Sequence, residues 1–266
     1  MKKLNLNYYL QKAKEYSYQS RIDIIKTVYK VKGGHLGGSL SVIDILSSIY
    51  SFYNSNEYEV ILSKGHCVLA WLVTLVRVGE IESKSLDHFY SDKSNFGGHP
   101  KKNSSKSITW STGSLGHGLS VVCGKALAKP YKKYFCILGD GEMNEGSVWE
   151  GLMFLSQHQI SNVLVFIDNN KQESLDKTDD ILSIECLEKK IGGMRISVDR
   201  INGHQIEILI KEINDFLNDS NKSKNPRVLI CDTVKGKGVS FMEKVPMWHH
   251  RKLKDNEYLK ALKELS

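Results

Sequence analysis

Residues 134–146 (YFCILGDGEMNEG) and 162–170 (NVLVFIDNN) each join an apolar run to the polar loop that follows it. The second run is apolar at every position from 163 to 167, which is typical of a strand covered on both faces in a parallel sheet. Residues 147–159, between the two runs, have the pattern of a helix. The segment therefore predicts a strand–helix–strand unit and, with it, an α/β fold.

The same alternation of helices and strands extends along most of the chain. We predict a helix that begins at Ser41, with Asp44 as its capping-box acid, and further helices at residues 20–32, 67–78, 119–128 and 205–217. Strands are predicted at residues 58–62, 195–198 and 227–232. The sequence thus predicts one domain over residues 1–266, a doubly wound, mostly parallel sheet flanked by helices.

Composition narrows the class of protein. The chain has 266 residues, of which 41% are hydrophobic, and this is enough for one substantial core. Its net charge of +7 comes from lysines scattered along the sequence. A nucleic-acid-binding surface needs a basic stripe with stacking aromatic residues, and we see no such stripe, so no nucleic-acid partner is expected.

Cysteine usage and hydropathy indicate a cytoplasmic protein. The five cysteines form no CxxC pair, which argues against a disulfide scaffold and against a zinc site. No run approaches the roughly 18 apolar residues of a membrane span, and no apolar segment follows the first lysines as in a signal peptide. We therefore expect a chain of the reducing cytoplasm with no membrane partner.

The polar loops after the two best strands predict a cation site. In a parallel sheet the carboxyl ends lie on one edge, so Asp140 and Asn170 can meet although about thirty residues separate them. Carboxylate and amide oxygens suit Mg²⁺, and Ca²⁺ also fits such ligands. Gly-Asp-Gly or Asn-Asn alone is a common turn. Their combination in register with strand, helix and strand is what indicates a site.

The combination resembles the thiamine-diphosphate signature, and residues 138–150 (LGDGEMNEGSVWE) resemble transketolase in particular. The similarity runs from about Ile22 to His249 and covers the N-terminal third to half of a full transketolase. It implies thiamine diphosphate and Mg²⁺ (or Ca²⁺) as cofactors. The metal ligands implied are the side chains of Asp140 and Asn170 and the backbone carbonyl of Gln172.

The resemblance also implies the residues that contact the cofactor. Glu145 matches an acid that joins a carboxylate network between two cofactor sites. Residues 112–118 resemble the loop that packs on the cofactor. The expected cofactor-binding residues are His66, Gly113, Ser114, Leu115, Gly139, Gly141, Glu142 and Asn170.

Four of the nine histidines lie beside glycines or in loops, which indicates side chains directed into one cleft: His35, His66, His99 and His249. Imidazoles suit sugar hydroxyls and proton transfer near neutral pH. Each position falls where transketolase has an active-site histidine. The resemblance implies that His35, His99 and His249 handle substrate oxygens and protons, with Glu145 also in the catalytic set. His250 stands where the family usually has glycine.

Other histidines and one glycine loop carry weaker signals. His88, His158 and His204 lack such a setting, and we interpret them as structural or exposed. Residues 235–239 (KGKGV) fit the family pattern and fit a flexible turn equally well.

The region matched lacks the family's second domain, which carries the glutamate that activates the cofactor. We therefore expect a separate C-terminal subunit with a pyrimidine-type domain, an α₂β₂ assembly, and activity only with that partner. The expected reaction transfers a two-carbon ketol unit from a ketose (phosphate) donor to an aldehyde acceptor.

Alternative functions remain open on the sequence alone. One is a split relative that acts on an unusual sugar or a sulfonated substrate. A 2-oxo-acid dehydrogenase component shares the two motifs, but its acceptor is a lipoyl arm, and the four histidines favour sugar chemistry. A non-catalytic cofactor-binding paralogue is the alternative from another class of function. The retained metal-ligand and histidine positions argue against it.

Overall fold

A five-stranded parallel sheet forms the centre of the protein. The computed structural model describes residues 5–53, 57–92, 94–174, 176–218 and 225–266. The strands lie in the order β1-β2-β3-β5-β4, and every neighbouring pair is parallel. Their bounds are Tyr58–Leu62 (β1), Lys133–Gly139 (β2), Val163–Asn169 (β3), Ser197–Asn202 (β4) and Arg227–Asp232 (β5).

Helices cover both faces of this sheet, as the doubly wound prediction requires. Alternate side chains of each strand enter one of two cores, because successive residues of a strand point to opposite faces. One core packs against α1, α2, α3 and α8, and the other against α4, α5 and α7. The helices are Leu6–Val31 (α1), Leu36–Ser51 (α2), Val68–Arg77 (α3), His117–Ala128 (α4), Gly146–Gln157 (α5), Thr178–Ile181 (α6), Leu187–Gly192 (α7), Ile206–Leu217 (α8) and Asp255–Leu265 (α9).

Two helices begin earlier than the sequence predicted. The helix predicted from residue 20 begins at Leu6, since its first half buries small residues such as Ala13 and Ser17. The helix predicted from Ser41 begins at Leu36 and contains two glycines. A methyl group on Gly37 would lie 2.9 Å from the backbone oxygen of Trp248, so glycine is needed there for close packing.

The capping role predicted for Asp44 was therefore wrong. This carboxylate is buried within α2 and forms a hydrogen-bonded ion pair with Arg21, at 2.9 and 2.6 Å. Its Oδ2 atom also lies 2.7 Å from Nδ1 of His204, whose Nε2 accepts the Val234 backbone N–H. This network ties α1 and α2 to the loop that follows β5.

The edge strand β4 lies two residues beyond its predicted start and runs longer. Asp199 and Arg200 are exposed on it, so the apolar run that marks a central strand is absent. No helix in the described ranges is both long and apolar enough to cross a bilayer.

Candidate active site at the carboxyl edge of the sheet

A cleft of about 260 Å³ lies at the carboxyl ends of β2 and β3. The edge position follows from the parallel register, in which Gly139 pairs with Asp168. Loops from five separate parts of the chain supply its walls. The lining residues are Gly38, Lys64, His66, Gly113, Leu115, Gly139, Asp140, Gly141, Glu142, Asn170, Gln172, Glu173, Ser174, Lys235 and His249.

Asp140 joins the two strand tips. Its Oδ1 atom accepts the Gly141 N–H at 2.9 Å, and its Oδ2 atom accepts the N–H of Lys171, the residue after Asn170. The Gly-Asp-Gly and Asn-Asn loops are therefore in direct contact, as predicted. Burial raises the pKa of Asp140 to about 6, because the interior disfavours the charged carboxylate. A cation bound beside it would offset that cost.

Asn170 and Gln172 add oxygen atoms to the same place. The Asn170 Oδ1 atom accepts the Gln172 N–H at 3.1 Å, and both side chains are buried. The Gln172 Oε1 atom is buried with no hydrogen-bond partner among the residues that the structure describes. One carboxylate, one amide and an unpaired carbonyl oxygen fit a hard cation that completes its shell with phosphate oxygens and water.

Two buried lysines, which the sequence did not single out, face this carboxylate. Lys64 forms an ion pair with Asp168 at 2.5 Å, and Asp168 also accepts hydrogen bonds from Ser41 and Thr233. The Lys235 ammonium donates to the Glu173 backbone oxygen at 2.6 Å. We call Lys64, Asp140, Asp168, Asn170 and Lys235 the cleft floor.

These lysines were missed because a lone lysine in a sequence usually lies on the surface. A usable signal did exist for Lys64, which follows β1 by two residues and so lies at the same sheet edge as Asp140. Burial lowers the pKa of Lys235 to about 8. Two ammonium groups beside a cation site fit a ligand that carries several negative charges, such as a diphosphate.

Glu142 was predicted to contact the cofactor, and its carboxylate is bonded mainly to protein. It accepts hydrogen bonds from the Gly116 N–H at 2.7 Å, from the Gly139 N–H at 3.1 Å and from the Ser63 hydroxyl. Burial raises its pKa. Glu142 thus lines the cleft while it holds the loop around Gly116 against the end of β2.

The four predicted histidines lie together, and His250 joins them. Ring centroids of His35 lie 5.4 Å from His66, 6.0 Å from His99, 5.2 Å from His249 and 4.6 Å from His250. The ring of His66 also lies 5.4 Å from that of His249. We call these five residues the histidine cluster.

Burial and neighbouring positive groups keep most of these rings neutral. They lower the pKa of His35 to about 4 and that of His249 to about 3, and they lower the pKa of His66 as well. Burial also lowers the pKa of His99. The Nδ1 atom of His249 lies 3.0 Å from the Lys235 ammonium and accepts its proton. Neutral imidazoles can donate and accept hydrogen bonds, which suits a ligand rich in hydroxyl groups.

The remaining predicted residues lie at or outside the cleft wall. Gly113 and Leu115 line the cleft, while Ser114, between them, does not. Glu145 is exposed at the start of α5, away from the cleft. Its predicted role needs a second cofactor site and stays a prediction.

Comparisons with known proteins agree with this geometry. The family model described as transketolase, thiamine diphosphate binding domain, matches residues 13–265. One of the named subunits of the apulose-4-phosphate transketolase of Phocaeicola vulgatus is 34% identical over 94% of this chain and 92% of its own length. The subunit of the same name from Actinobacillus succinogenes is 32% identical over 100% of this chain and 99% of its own length.

More distant relatives and solved structures extend the comparison. The 6-deoxy-6-sulfo-D-fructose transketolase subunit SqwG of a Clostridium species is 30% identical over 91% of both chains. Transketolase from Leishmania mexicana superposes with a TM-score of 0.87 at 20% identity, over 95% of this chain and 41% of that one. The Campylobacter jejuni enzyme gives 0.83 at 24% identity, over 96% and 43%. At such identities the structures show the shared fold.

Proposed function

Since this chain belongs to the transketolase family and is an N-terminal, thiamine-diphosphate-binding subunit, we propose that its cleft floor holds the cofactor's diphosphate through a divalent cation. The observation that carries the proposal is the hydrogen bond from the Lys171 backbone to Asp140, which closes the two motif loops around one oxygen-rich point. Asp140, Asn170 and Gln172 are the proposed metal ligands. Mg²⁺ is the proposed ion and Ca²⁺ the alternative.

The diphosphate oxygens would lie between this cation and the floor lysines. Gly139 and Gly141 allow close approach of the backbone, and a methyl group on Gly141 would lie 2.7 Å from Glu173 Cγ. Lys64 and Lys235 supply positive charge. The other proposed contacts are His66, Gly113, Ser114 and Leu115, with Glu142 acting through the loop that it holds.

The histidine cluster would bind and orient the sugar. Bound thiamine diphosphate supplies the electron sink that cleavage of a carbon–carbon bond next to a carbonyl requires. His35, His99 and His249, neutral near pH 7, can hydrogen-bond substrate hydroxyls and take up or release a proton at an imidazole nitrogen. Two-carbon ketol transfer from a ketose to an aldehyde needs both functions.

We propose that catalysis also needs a partner chain. Three relatives matched over nearly their full length are each named as one subunit of a transketolase. The partner would carry the pyrimidine-type domain and the activating glutamate, in an α₂β₂ assembly in the cytoplasm. Glu145 would then lie in a carboxylate network between cofactor sites.

An unusual sugar is the second candidate substrate. The relatives of 30–34% identity are named for apulose-4-phosphate and 6-deoxy-6-sulfo-D-fructose. This favours a specialised ketose over a common one, with the same reaction.

The test is reconstitution. The chain would be purified alone and together with the product of the neighbouring gene, then assayed with thiamine diphosphate, Mg²⁺ and a panel of ketose donors and aldehyde acceptors. We expect ketol transfer from the complex and none from either chain alone. Full activity of this chain by itself would contradict the proposed need for a partner, and an inactive complex that still binds the cofactor would favour a non-catalytic role.

A further inference from the structure

We propose that Tyr90 and His250 form a specificity-determining pair, here called the mouth pair, which binds the hydroxylated carbon chain of the sugar beyond the transferred two-carbon unit. The inference rests on the proposed ketol transfer and extends it to a substrate class: polyhydroxylated chains of four or more carbons. Tyr90 was not singled out by the sequence, and His250 stood out only as a departure from the family pattern.

Tyr90 is held over the histidine cluster by its own loop. Its backbone has a φ of 68°, an uncommon conformation for an aromatic residue, and its N–H donates to the Phe96 oxygen at 3.2 Å. A methyl group on Gly98 would collide with the Tyr90 hydroxyl, so the phenol packs directly on that glycine. The hydroxyl lies 3.4 Å from Nδ1 of His35.

His250 contacts His35 from another side. The two ring centroids lie 4.6 Å apart at 66°, and the His250 and Tyr90 rings lie 6.2 Å apart. Its segment is anchored by buried Trp248, over which the Arg251 guanidinium lies at 4.2 Å. Two separate loops thus bring an aromatic ring and an imidazole to the same histidine.

Depth places this pair at the outer end of the site. Tyr90 is 41% exposed and His250 is exposed, whereas His35 and His66 are largely enclosed. A ligand with its diphosphate on the cleft floor and its reacting carbon near His35 would extend past the mouth pair. Ring faces pack on the C–H groups of a sugar, and the phenol and imidazole exchange hydrogen bonds with its hydroxyls.

The experiment compares long and short substrates on the complex of this chain with its partner. The short pair is hydroxypyruvate and glycolaldehyde, which give a four-carbon ketose and CO₂. The long pair is a ketose donor of five or more carbons with an aldose acceptor of four or more. The variants are Tyr90→Ala, Tyr90→Phe and His250→Ala, with Tyr131→Ala and His158→Ala as exposed controls outside the site.

We expect the ratio of kcat/KM for the long pair to that for the short pair to fall about tenfold in Tyr90→Ala and His250→Ala. In Tyr90→Phe, which keeps the ring, we expect a fall of about threefold. Thiamine-diphosphate affinity and the unfolding midpoint, measured on each variant, report whether the site and the fold persist. The control variants should keep the wild-type ratio.

Two results would overturn the inference. An unchanged ratio would mean that the pair does not contact the sugar chain. An equal loss on both substrate pairs would place its effect on the transferred unit instead. A wild-type complex inactive even with the short pair would contradict the proposed function itself, so the two failures are distinguishable.

Discussion

The cleft floor and the histidine cluster lie side by side, yet burial affects them in opposite ways. On the floor, Lys64 remains charged because Asp168 lies 2.5 Å away, and that carboxylate raises the lysine's pKa despite desolvation. In the cluster, burial and nearby cations lower the pKa of His35 and His249, so these rings stay neutral. The floor is thus a set of fixed charges and the cluster a set of uncharged hydrogen-bonding groups.

This difference indicates how the two regions divide their work. Fixed, paired charges bind an anionic cofactor strongly and tolerate little change, because an unpaired buried charge is costly. Neutral imidazoles can reverse their donor and acceptor roles as a substrate changes protonation. The predictions below test whether the floor is the rigid and energetically critical region.

The largest effect is expected from breaking the buried ion pair. Lys64→Met leaves the Asp168 carboxylate without its counter-ion in a site that is fully buried. We expect the free energy of unfolding to fall by about 3–5 kcal/mol, measured by urea denaturation of the purified chain. Lys30→Met, which removes an exposed pair with Asp87, is the matched control and should have little effect.

The double variant Lys64→Met/Asp168→Asn separates charge from packing. It removes both charges and keeps an oxygen that can accept from Ser41 and Thr233. We expect it to be more stable than Lys64→Met alone. A double variant that is less stable would show that the contribution of Lys64 is packing rather than charge.

The second largest effect concerns the cation. Asp140→Asn keeps the shape of the side chain and removes its charge, so Mg²⁺-dependent binding of thiamine diphosphate should weaken by at least about 100-fold in calorimetry. Asp180→Asn, at an exposed carboxyl in α6, is the control. Unchanged affinity in Asp140→Asn would remove this residue from the proposed metal ligands.

Local patterns made much of this framework predictable from the sequence. The strand bounds of β1 and β5 were predicted correctly, and those of β3 nearly so, because buried parallel strands are continuous apolar runs. Parallel pairing then placed Asp140 beside the Asn170 loop without knowledge of side-chain positions. The histidines were recognised by their glycine-rich settings and by resemblance to the family.

What the sequence could not provide depends on contacts between distant segments. Lys64 is buried only because Asp168, 104 residues away, pairs with it. The first half of α1 was missed because its buried face uses small residues rather than large apolar ones. Tyr90 reaches His35 through a backbone conformation and a contact with Gly98 that no local pattern encodes.

A third and smaller effect should appear on acidification. The unfolded chain protonates histidine near pH 6.5, whereas the folded pKa is about 4 for His35 and about 3 for His249. Between those values the unfolded state binds more protons, so stability falls as pH falls from about 6.5 towards 4. The double variant His35→Gln/His249→Gln should lose less free energy of unfolding between pH 7 and 5 than the wild type.

The control for this pH effect is His158→Gln, an exposed histidine at the end of α5. It should keep the wild-type dependence, measured by urea denaturation at each pH. A double variant with the same dependence as the wild type would mean that the cluster rings titrate normally in the folded protein.

The smallest effect on stability is expected at the exposed edge of the histidine cluster. His99 is exposed, and its ring lies 6.0 Å from that of His35. His99→Ala should therefore change the free energy of unfolding by less than about 0.5 kcal/mol. It should nevertheless lower kcat/KM for ketol transfer by the complex about tenfold, since a substrate hydrogen bond is lost, while cofactor affinity stays at the wild-type value. A loss of stability comparable to that of Lys64→Met would erase the distinction between the two regions, because the cluster would then be as necessary to the fold as the floor.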